Sequence, residues 1–333
     1  MRAFVTGIGG FVGSYLARDL VRESLEVHGI VERESSHFLF GKELESKVFL
    51  YPCDIRDSER LTKILRDVNP DRIFHLAAVG SLPQASLEVE RTFQTNFIGT
   101  LNLYEAVRKS GANPRILFVG SAQEYGLTFN EIRPINEDCP LRPVDPYSAS
   151  KASADLLSFQ YCFGVGLPII RVRPFNHTGP GQSEHFVCSS FAKQIAEIES
   201  GRKEAIVTVG NLKARRDFLD VRDVIRAYQL ALERGKIGEV YNICSEKSIS
   251  IGEILALLLG LSSKTIRVVR DAARGRDLEI FEMLGDCKKF KNDTGWQSRI
   301  LLEQTLEDLL NYWRKICRSS SDRVGTIGIK EHN

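Results

Sequence analysis

The first 120 residues alternate short β-branched runs with segments of helical periodicity, and that alternation leaves the chain few folds to adopt. Ala3-Phe4-Val5 leads into a helical pattern over 11–21, where Val12, Leu16 and Leu20 recur every four residues. Apolar runs follow at 27–31, 48–51, 73–76 and 116–119, each separated from the next by helix-length sequence. Continuous runs of this kind predict strands buried on both faces. Strands and helices in strict alternation predict an α/β fold with a doubly wound parallel sheet.

Further along, Val89, Phe93, Phe97, Leu103 and Val107 predict a long helix interrupted by Gly99. A second long helix should start near Pro146, whose fixed φ suits a first turn, and run past Leu157. Beyond Pro174 the texture changes to glycine-rich polar loops and short mixed elements, which predicts a smaller, discontinuous α/β domain. The expected division is 1–173 with about 217–243 in the sheet domain, and 174–216 with 244–318 in the smaller one. Residues 319–333 lack a pattern and are expected to form a mobile tail.

Thr6-Gly7-Ile8-Gly9-Gly10-Phe11-Val12-Gly13 falls between the first strand and the first helix. Glycines spaced as Gly7, Gly10 and Gly13 permit a tight turn and close backbone approach, and the helix start at Phe11 and Val12 offers unpaired N–H groups to a pyrophosphate. The fold expected is therefore a Rossmann sheet that binds a dinucleotide. Glu32 ends the second strand about 20 residues on, where a carboxylate can accept ribose hydroxyls and repel a 2′-phosphate. Arg33 beside it could attract that phosphate, so NADPH stays open beside NADH. Asp54 and Ile55 suit the adenine edge, and Leu76, Ala77 and Ala78 supply small residues beside the dinucleotide.

Tyr147-Ser148-Ala149-Ser150-Lys151 puts a phenol and an ammonium four residues apart, on one helix face. A nearby cation helps a phenol, with its reference pKa near ~10, to exchange a proton at neutral pH. Ser121, just past the fifth strand, should lie at the carboxyl edge of the sheet, where ligands bind in such folds. These three are the catalytic candidates.

Composition removes other classes. Forty-five basic against 43 acidic residues leave a net charge of +2, too balanced for nucleic-acid binding by bulk charge. No apolar run approaches the ~20 residues of a membrane span. The strand-like amino terminus shows no signal segment, and seven scattered cysteines without a Cys-x-x-Cys pair fit a reducing compartment, so a cytoplasmic location is expected. The six histidines are dispersed, no metal site is expected, and His75 on its apolar strand reads as a packed core residue.

With these residues in hand the chain resembles the extended short-chain dehydrogenase/reductases. More narrowly it resembles the GDP-4-keto-6-deoxy-D-mannose reductases, with the GDP-mannose 4,6-dehydratases as near relatives. The narrower likeness rests on 173–182 (RPFNHTGPGQ), Val209-Gly210-Asn211-Leu212, Arg215-Arg216-Asp217-Phe218, Asp220-Val221-Arg222-Asp223-Val224 and Thr294-Gly295-Trp296. It implies an NAD(P)H enzyme that reduces the C4 ketone of a GDP-4-keto-6-deoxyhexose to GDP-D-rhamnose. It further implies a homodimer joined through helices near 86–109 and 145–165. Asn96 is implied on the cofactor side. Ser81, Gln123, Glu124, Asn176, Val209, Asn211, Arg216, Arg276 and Glu279 are implied around the GDP-sugar. Glu32 stands where the dehydratases carry a phosphate-binding arginine, which favours NADH. Gln123 stands where they carry the glutamate base, and an amide cannot remove the C5 proton of the sugar. Reduction is therefore expected ahead of dehydration. A nucleotide-sugar 4-epimerase and an idle nucleotide-sensing protein are the remaining alternatives.

Overall fold

The computed structural model describes residues 1–32, 39–271 and 280–324, with side chains as far as residue 318. Its strands are β1 (Arg2–Thr6), β2 (Glu26–Val31), β3 (Phe49–Pro52), β4 (Arg72–His75), β5 (Arg115–Val119), β6 (Ile169–Pro174), β7 (Asn176–Thr178), β8 (Ile206–Val209), β9 (Arg215–Asp220), β10 (Val240–Ile243), β11 (Ser248–Ser250), β12 (Arg267–Arg270) and β13 (Glu282–Met283). Seven of these form one all-parallel sheet in the order β3-β2-β1-β4-β5-β6-β10. The predicted doubly wound sheet is present. One expectation for it needs correcting. β3 was expected to be buried on both faces, but it pairs with β2 alone at the rim, and Phe49 is 54 % exposed. A short apolar run looks the same at the rim and the centre of a sheet, because its burial depends on neighbours outside the run.

Successive residues of a strand face opposite sides, so β1 feeds two cores. Val5 packs with Phe74, Leu117 and the inner faces of helices Phe11–Arg22 and Val221–Arg234. Phe4 packs with Ile73, Ile116 and the helices Ser58–Val68 and Gly99–Ser110. Each such side chain contributes about 1.5–3 kcal/mol by leaving water.

The predicted long helix over 89–107 is a rod of three parts: Val89–Phe93, a wider π-type turn at Gln94–Ile98, and Gly99–Ser110. Gly99 does not interrupt it. Its dihedrals are helical (φ −59°, ψ −37°), and a Cβ there would lie 2.7 Å from the Ile55 side chain. The glycine lets a neighbour pack close, and the irregularity falls one turn earlier. Helix Pro146–Gln160 starts where expected: Asp145 caps it by accepting the Ser148 N–H, and proline fills its first turn.

In the smaller lobe β9 lies between antiparallel β11 and parallel β13, with β7 also paired to it; β8 pairs with β12. Phe191, Ile195, Val207, Ile254, Leu258, Leu306 and Leu310 form its core. The chain returns to the large sheet through helix Val221–Arg234 and β10, so β9 itself belongs to the smaller sheet. The last helix, Leu302–Val324, continues through 319–324, where a patternless tail was expected.

Trp296 anchors the segment after helix Lys288–Thr294 in the core of the large sheet. It is buried, its ring lies 5.7 Å from that of Phe290, and its Nε1–H donates to the Asp223 carbonyl at 3.2 Å. Trp296→Ala should lower the unfolding free energy by about 3–5 kcal/mol. A denaturant midpoint unchanged from the parent would show that this packing is not what holds the segment in place.

Candidate active site

The order of the large sheet reverses between β1 and β4, and the loops beyond their carboxyl ends diverge to leave a cleft of about 470 Å³. Gly7, Gly10, Glu32, Asp54, Ala77 and Ala78 line it. Gly7 has φ +71°, and a Cβ on it would lie 3.0 Å from the Ala77 backbone. A Cβ on Gly13 would lie 2.3 Å from the Gly7 carbonyl oxygen. Both positions demand glycine. Gly10 caps helix Phe11–Arg22 without a side-chain hydrogen bond, so no side chain occupies the first N–H groups of that helix. Gly7, Gly10, Phe11, Val12 and Gly13 thus form a tight turn with an open helix start.

A buried chain of hydrogen bonds fixes the loop after β4. Thr6 Oγ1 accepts the N–H groups of Leu76 and Ala77 at 3.1 and 3.0 Å, leaving its own proton for His75 Nδ1 at 2.8 Å. His75 Nε2–H then donates to Thr100 Oγ1 at 2.8 Å, and Thr100 donates to the Asn96 carbonyl at 2.6 Å. The network assigns the neutral Nε2–H tautomer. Burial, assisted by the charge of Lys151, pushes the His75 pKa down to about 3. Asn96 carries the connection onward: its amide accepts from Val79 N at 2.8 Å and donates to Ser150 Oγ at 2.9 Å. Asn96, implied as a cofactor ligand, is buried and acts through the loop it holds.

Ser121 and Tyr147 meet, but Lys151, expected to face the phenol and ease its ionisation, points elsewhere. Ser121 follows β5, while Tyr147 and Lys151 lie one turn apart on helix Pro146–Gln160. Burial foremost, with Glu124 and Asp145 adding, raises the Tyr147 phenol to about 12, and a hydrogen bond from Ser121 pulls it back. Lys151 is pushed down to about 8 by burial, opposed by Glu124. Its Nζ donates to the Val119 carbonyl at 2.8 Å, beneath the site rather than toward the phenol.

Among the residues implied around the sugar, Glu124 and Val209 do not face the cleft. Glu124 is fully buried: its Oε1 accepts the Ser121 N–H at 2.7 Å and its Oε2 accepts Arg173 Nε–H at 3.1 Å. It is the third helical residue of a capping box, and that role turns it inward. Val209 ends β8 with its side chain in the core of the smaller lobe. Gln123, Ser81, Asn176, Asn211 and Arg216 are half-buried. Asn211 Oδ1 accepts Lys213 N–H at 2.9 Å, and Arg216 Nη1 donates to the Arg215 carbonyl at 2.7 Å. Arg33, Arg276 and Glu279 lie outside the described residues.

The sequence reading missed two arginines of the cleft. Arg56 clamps the Asp54 carboxylate through Nε at 2.9 Å and, by that bond foremost, holds it below the usual carboxylate range. Arg91 lies 3.4 Å from Glu32 and 2.9 Å from Glu88. Its distance from Glu32 in sequence hid it; only the packing of helix Val89–Phe93 beside the cleft brings it there. Among the described residues no His/Cys/Asp/Glu group is arranged to hold a metal ion, and no helix is long and apolar enough to cross a membrane.

A tyrosine and lysine on one helix, set beside a serine past β5 and a glycine loop past β1, separate this fold from other doubly wound sheets and define an extended short-chain dehydrogenase/reductase. Within that class the chain belongs to the family described as GDP-mannose 4,6 dehydratase, whose profile matches residues 4–309. It is 33 % identical to GDP-6-deoxy-D-mannose reductase of Pseudomonas aeruginosa over 321 residues, which cover 95 % of this chain and 98 % of that protein. It is 30 % identical to human GDP-mannose 4,6 dehydratase over 339 residues, 93 % and 90 % of the two chains. The structure of RMD from Pseudomonas aeruginosa complexed with NADPH has a TM-score of 0.81 at 32 % identity, with 95 % and 99 % coverage. UDP-glucose 4-epimerase of Thermotoga maritima with UDP-glucose reaches 0.86 at 27 % identity, again with 95 % and 99 % coverage.

The His75 value has a consequence for stability. It lies below that of an unfolded histidine, about 6.5, so acid favours the unfolded chain, which takes up the proton first. His75 should cost up to about 1.4 kcal/mol per pH unit between 6.5 and 3. Denaturant titrations at pH 7 and pH 5 should show a larger loss in the parent than in His75→Gln; equal losses would place the acid sensitivity elsewhere.

Proposed function

We propose that the protein is an NAD(P)H-dependent reductase of the C4 ketone of a GDP-4-keto-6-deoxyhexose, giving GDP-D-rhamnose. The observation that carries this reading over the dehydratase one is the segment after Ser121. Gln123 is a neutral amide, and the adjacent carboxylate of Glu124 is buried against Arg173. Neither can act as the base that removes a sugar C5 proton. The reductase relative is also the more similar of the two curated proteins, 33 % against 30 %.

The residues that would hold the nicotinamide dinucleotide are those of the cleft: the glycine loop for the pyrophosphate, Glu32 for the adenosine ribose, Asp54 and Ile55 for the adenine edge, and Ala77 and Ala78 along one side. Bound there, the cofactor supplies the hydride. Ser121 polarises the ketone by hydrogen bonding to its oxygen. Tyr147 donates the proton that this oxygen needs once it becomes an alkoxide. Lys151 contributes its positive charge behind them. Asn176, Asn211 and Arg216, with Arg276, bind the GDP moiety, where a guanidinium fork suits a diphosphate. Binding energy from that distant group holds the ketone in reacting position. Glu32 favours NADH. Arg91, 3.4 Å from it, offers a cation to a 2′-phosphate and supports NADPH as a second cofactor.

We further propose a homodimer through helix Pro146–Gln160, its continuation Tyr161–Val165, and the rod that begins at Val89. Leu156 and Phe163 are each 64 % exposed, and Phe159 sits between them with its ring 4.6 Å from that of Phe163. Three large apolar side chains on one exposed helix form a patch of the kind that marks an association surface.

Two experiments test these readings. Purified protein with NADH or NADPH and the ketosugar made in situ from GDP-mannose should consume the reduced cofactor, and Tyr147→Phe should lower kcat by a factor of at least 10², the lower end for general acid catalysis. No oxidation with either cofactor removes the reductase assignment, and full turnover by the variant removes Tyr147 as the acid. Sedimentation at micromolar concentration should give twice the chain mass, and Phe163→Glu should give a monomer; a monomeric parent removes the dimer.

A further inference from the structure

Glu124 is a buried carboxylate that the proposed chemistry leaves without a task. It is fully buried directly beneath the reacting groups, and it does not stand alone. Arg173 Nε–H is shared between Glu124 Oε2 at 3.1 Å and Asp155 Oδ2 at 3.0 Å, and Arg171 Nη1 reaches the other oxygen of Asp155 at 2.6 Å. All four side chains are buried, and Lys151, buried beside them, adds a third cation to the two anions. Taking a carboxylate this far from water costs several kcal/mol unless it is paired. A neutral capping residue would have served the turn at lower cost.

The surroundings are built for the charge. Burial foremost, with Asp155 adding, pushes the Glu124 carboxyl up to about 8, and the N–H donors on its two oxygens, from Arg173 and the Ser121 backbone, oppose that rise, so the group carries its charge over the alkaline range. Gly120 is kept clear for it: a Cβ there would lie 2.4 Å from Glu124 Oε1, and the carboxylate, enclosed on every side, has nowhere to retreat. Through Oε1 the carboxylate holds the backbone of the very residue whose hydroxyl meets Tyr147.

We propose that Glu124 is a positioning residue: its carboxylate fixes the Ser121 backbone and supplies the negative charge against which the buried Lys151 keeps its proton. The inference rests on the reductase reading of the same site. Arg173, from β6, and Asp155, from the helix that carries Tyr147 and Lys151, are the charged groups facing Glu124; Tyr125 and Tyr147 complete its surroundings. Arg171 acts on it through Asp155. Glu124 raises Lys151 against the downward push of burial, so without its charge Lys151 loses its proton at lower pH.

The test is the alkaline limb of the kcat profile for ketosugar reduction, read in the parent, Glu124→Gln and Glu124→Asp. Glu124→Gln keeps an acceptor for the Ser121 N–H but removes the charge. Its alkaline midpoint should fall by about one pH unit, giving roughly tenfold slower turnover at pH 8.5 beyond any loss at pH 6.5. Glu124→Asp keeps the charge at a shorter reach, so kcat should drop at every pH with the midpoint where the parent has it. A role confined to folding or capping would scale the profile in Glu124→Gln without moving it, and that outcome overturns the proposal. If Glu124→Gln does not fold because Arg173 loses a partner, the double variant Glu124→Gln with Arg173→Met removes one charge of each sign. Losing the Arg173 cation by itself raises Lys151, so the double variant is read against Arg173→Met alone: its midpoint must lie below that one, and equal midpoints overturn the proposal. A parent that fails to turn over would sink the reductase reading itself, whereas an active parent with an unmoved variant profile sinks only the role of Glu124.

Discussion

The buried hydrogen-bond chain from Thr6 through His75 and Thr100 to Asn96 is the interaction on which the rest of the site depends. It begins at the end of β1, crosses to β4 and finishes on the rod beside helix Pro146–Gln160, where the Asn96 amide joins Val79 to Ser150. Every donor and acceptor in it is used, so the loop with Ala77 and Ala78 has one low-energy position: against Gly7. A network that is fully satisfied specifies a single arrangement, while one missing a partner would carry the whole cost of desolvation. The neutral state of His75 is part of that economy, since a protonated ring would have no acceptor at Nδ1.

The second organising feature is a layered arrangement of charge. At the surface of the cleft Glu32, Asp54, Arg56 and Arg91 form pairs that water screens, and such pairs add little to stability. Beside Tyr147 and Lys151 the side chains of Glu124, Arg173, Asp155 and Arg171 form a buried cluster, where removing one member would strand another. The first layer is free to exchange its partners for those of a ligand. The second is committed to the protein and sets the electrostatic surroundings in which Tyr147 and Lys151 work.

Much of this was legible in the chain. The strands β1, β2, β4 and β5 stand within a residue or two of their apolar runs, because a parallel strand buried on both faces needs a continuous apolar sequence. The glycine loop was legible because Gly7 and Gly13 occupy positions where any side chain collides with backbone. Tyr147, Lys151 and Ser121 were legible from helical spacing and from the strand end. Misread were features that depend on the partner: β3 at the rim, Gly99 within a helix, Val209 in a core, and Glu124, whose capping box faces it away from the cleft.

The sequence by itself determined the class of fold, the glycine turn after β1 and the placing of Tyr147 and Lys151 one helical turn apart, since those follow from periodicity and from spacing within single elements. Only the tertiary structure decided which polar residues reach the site and which support it from behind. Arg91 meets Glu32 across 59 residues and Glu124 meets Arg173 across 49, and no local rule relates such pairs. The direction of a side chain one residue past a strand end is set by the cap it completes and the cation it finds. That is why Gln123 stays half-buried while Glu124, its neighbour in sequence, is enclosed against Arg173.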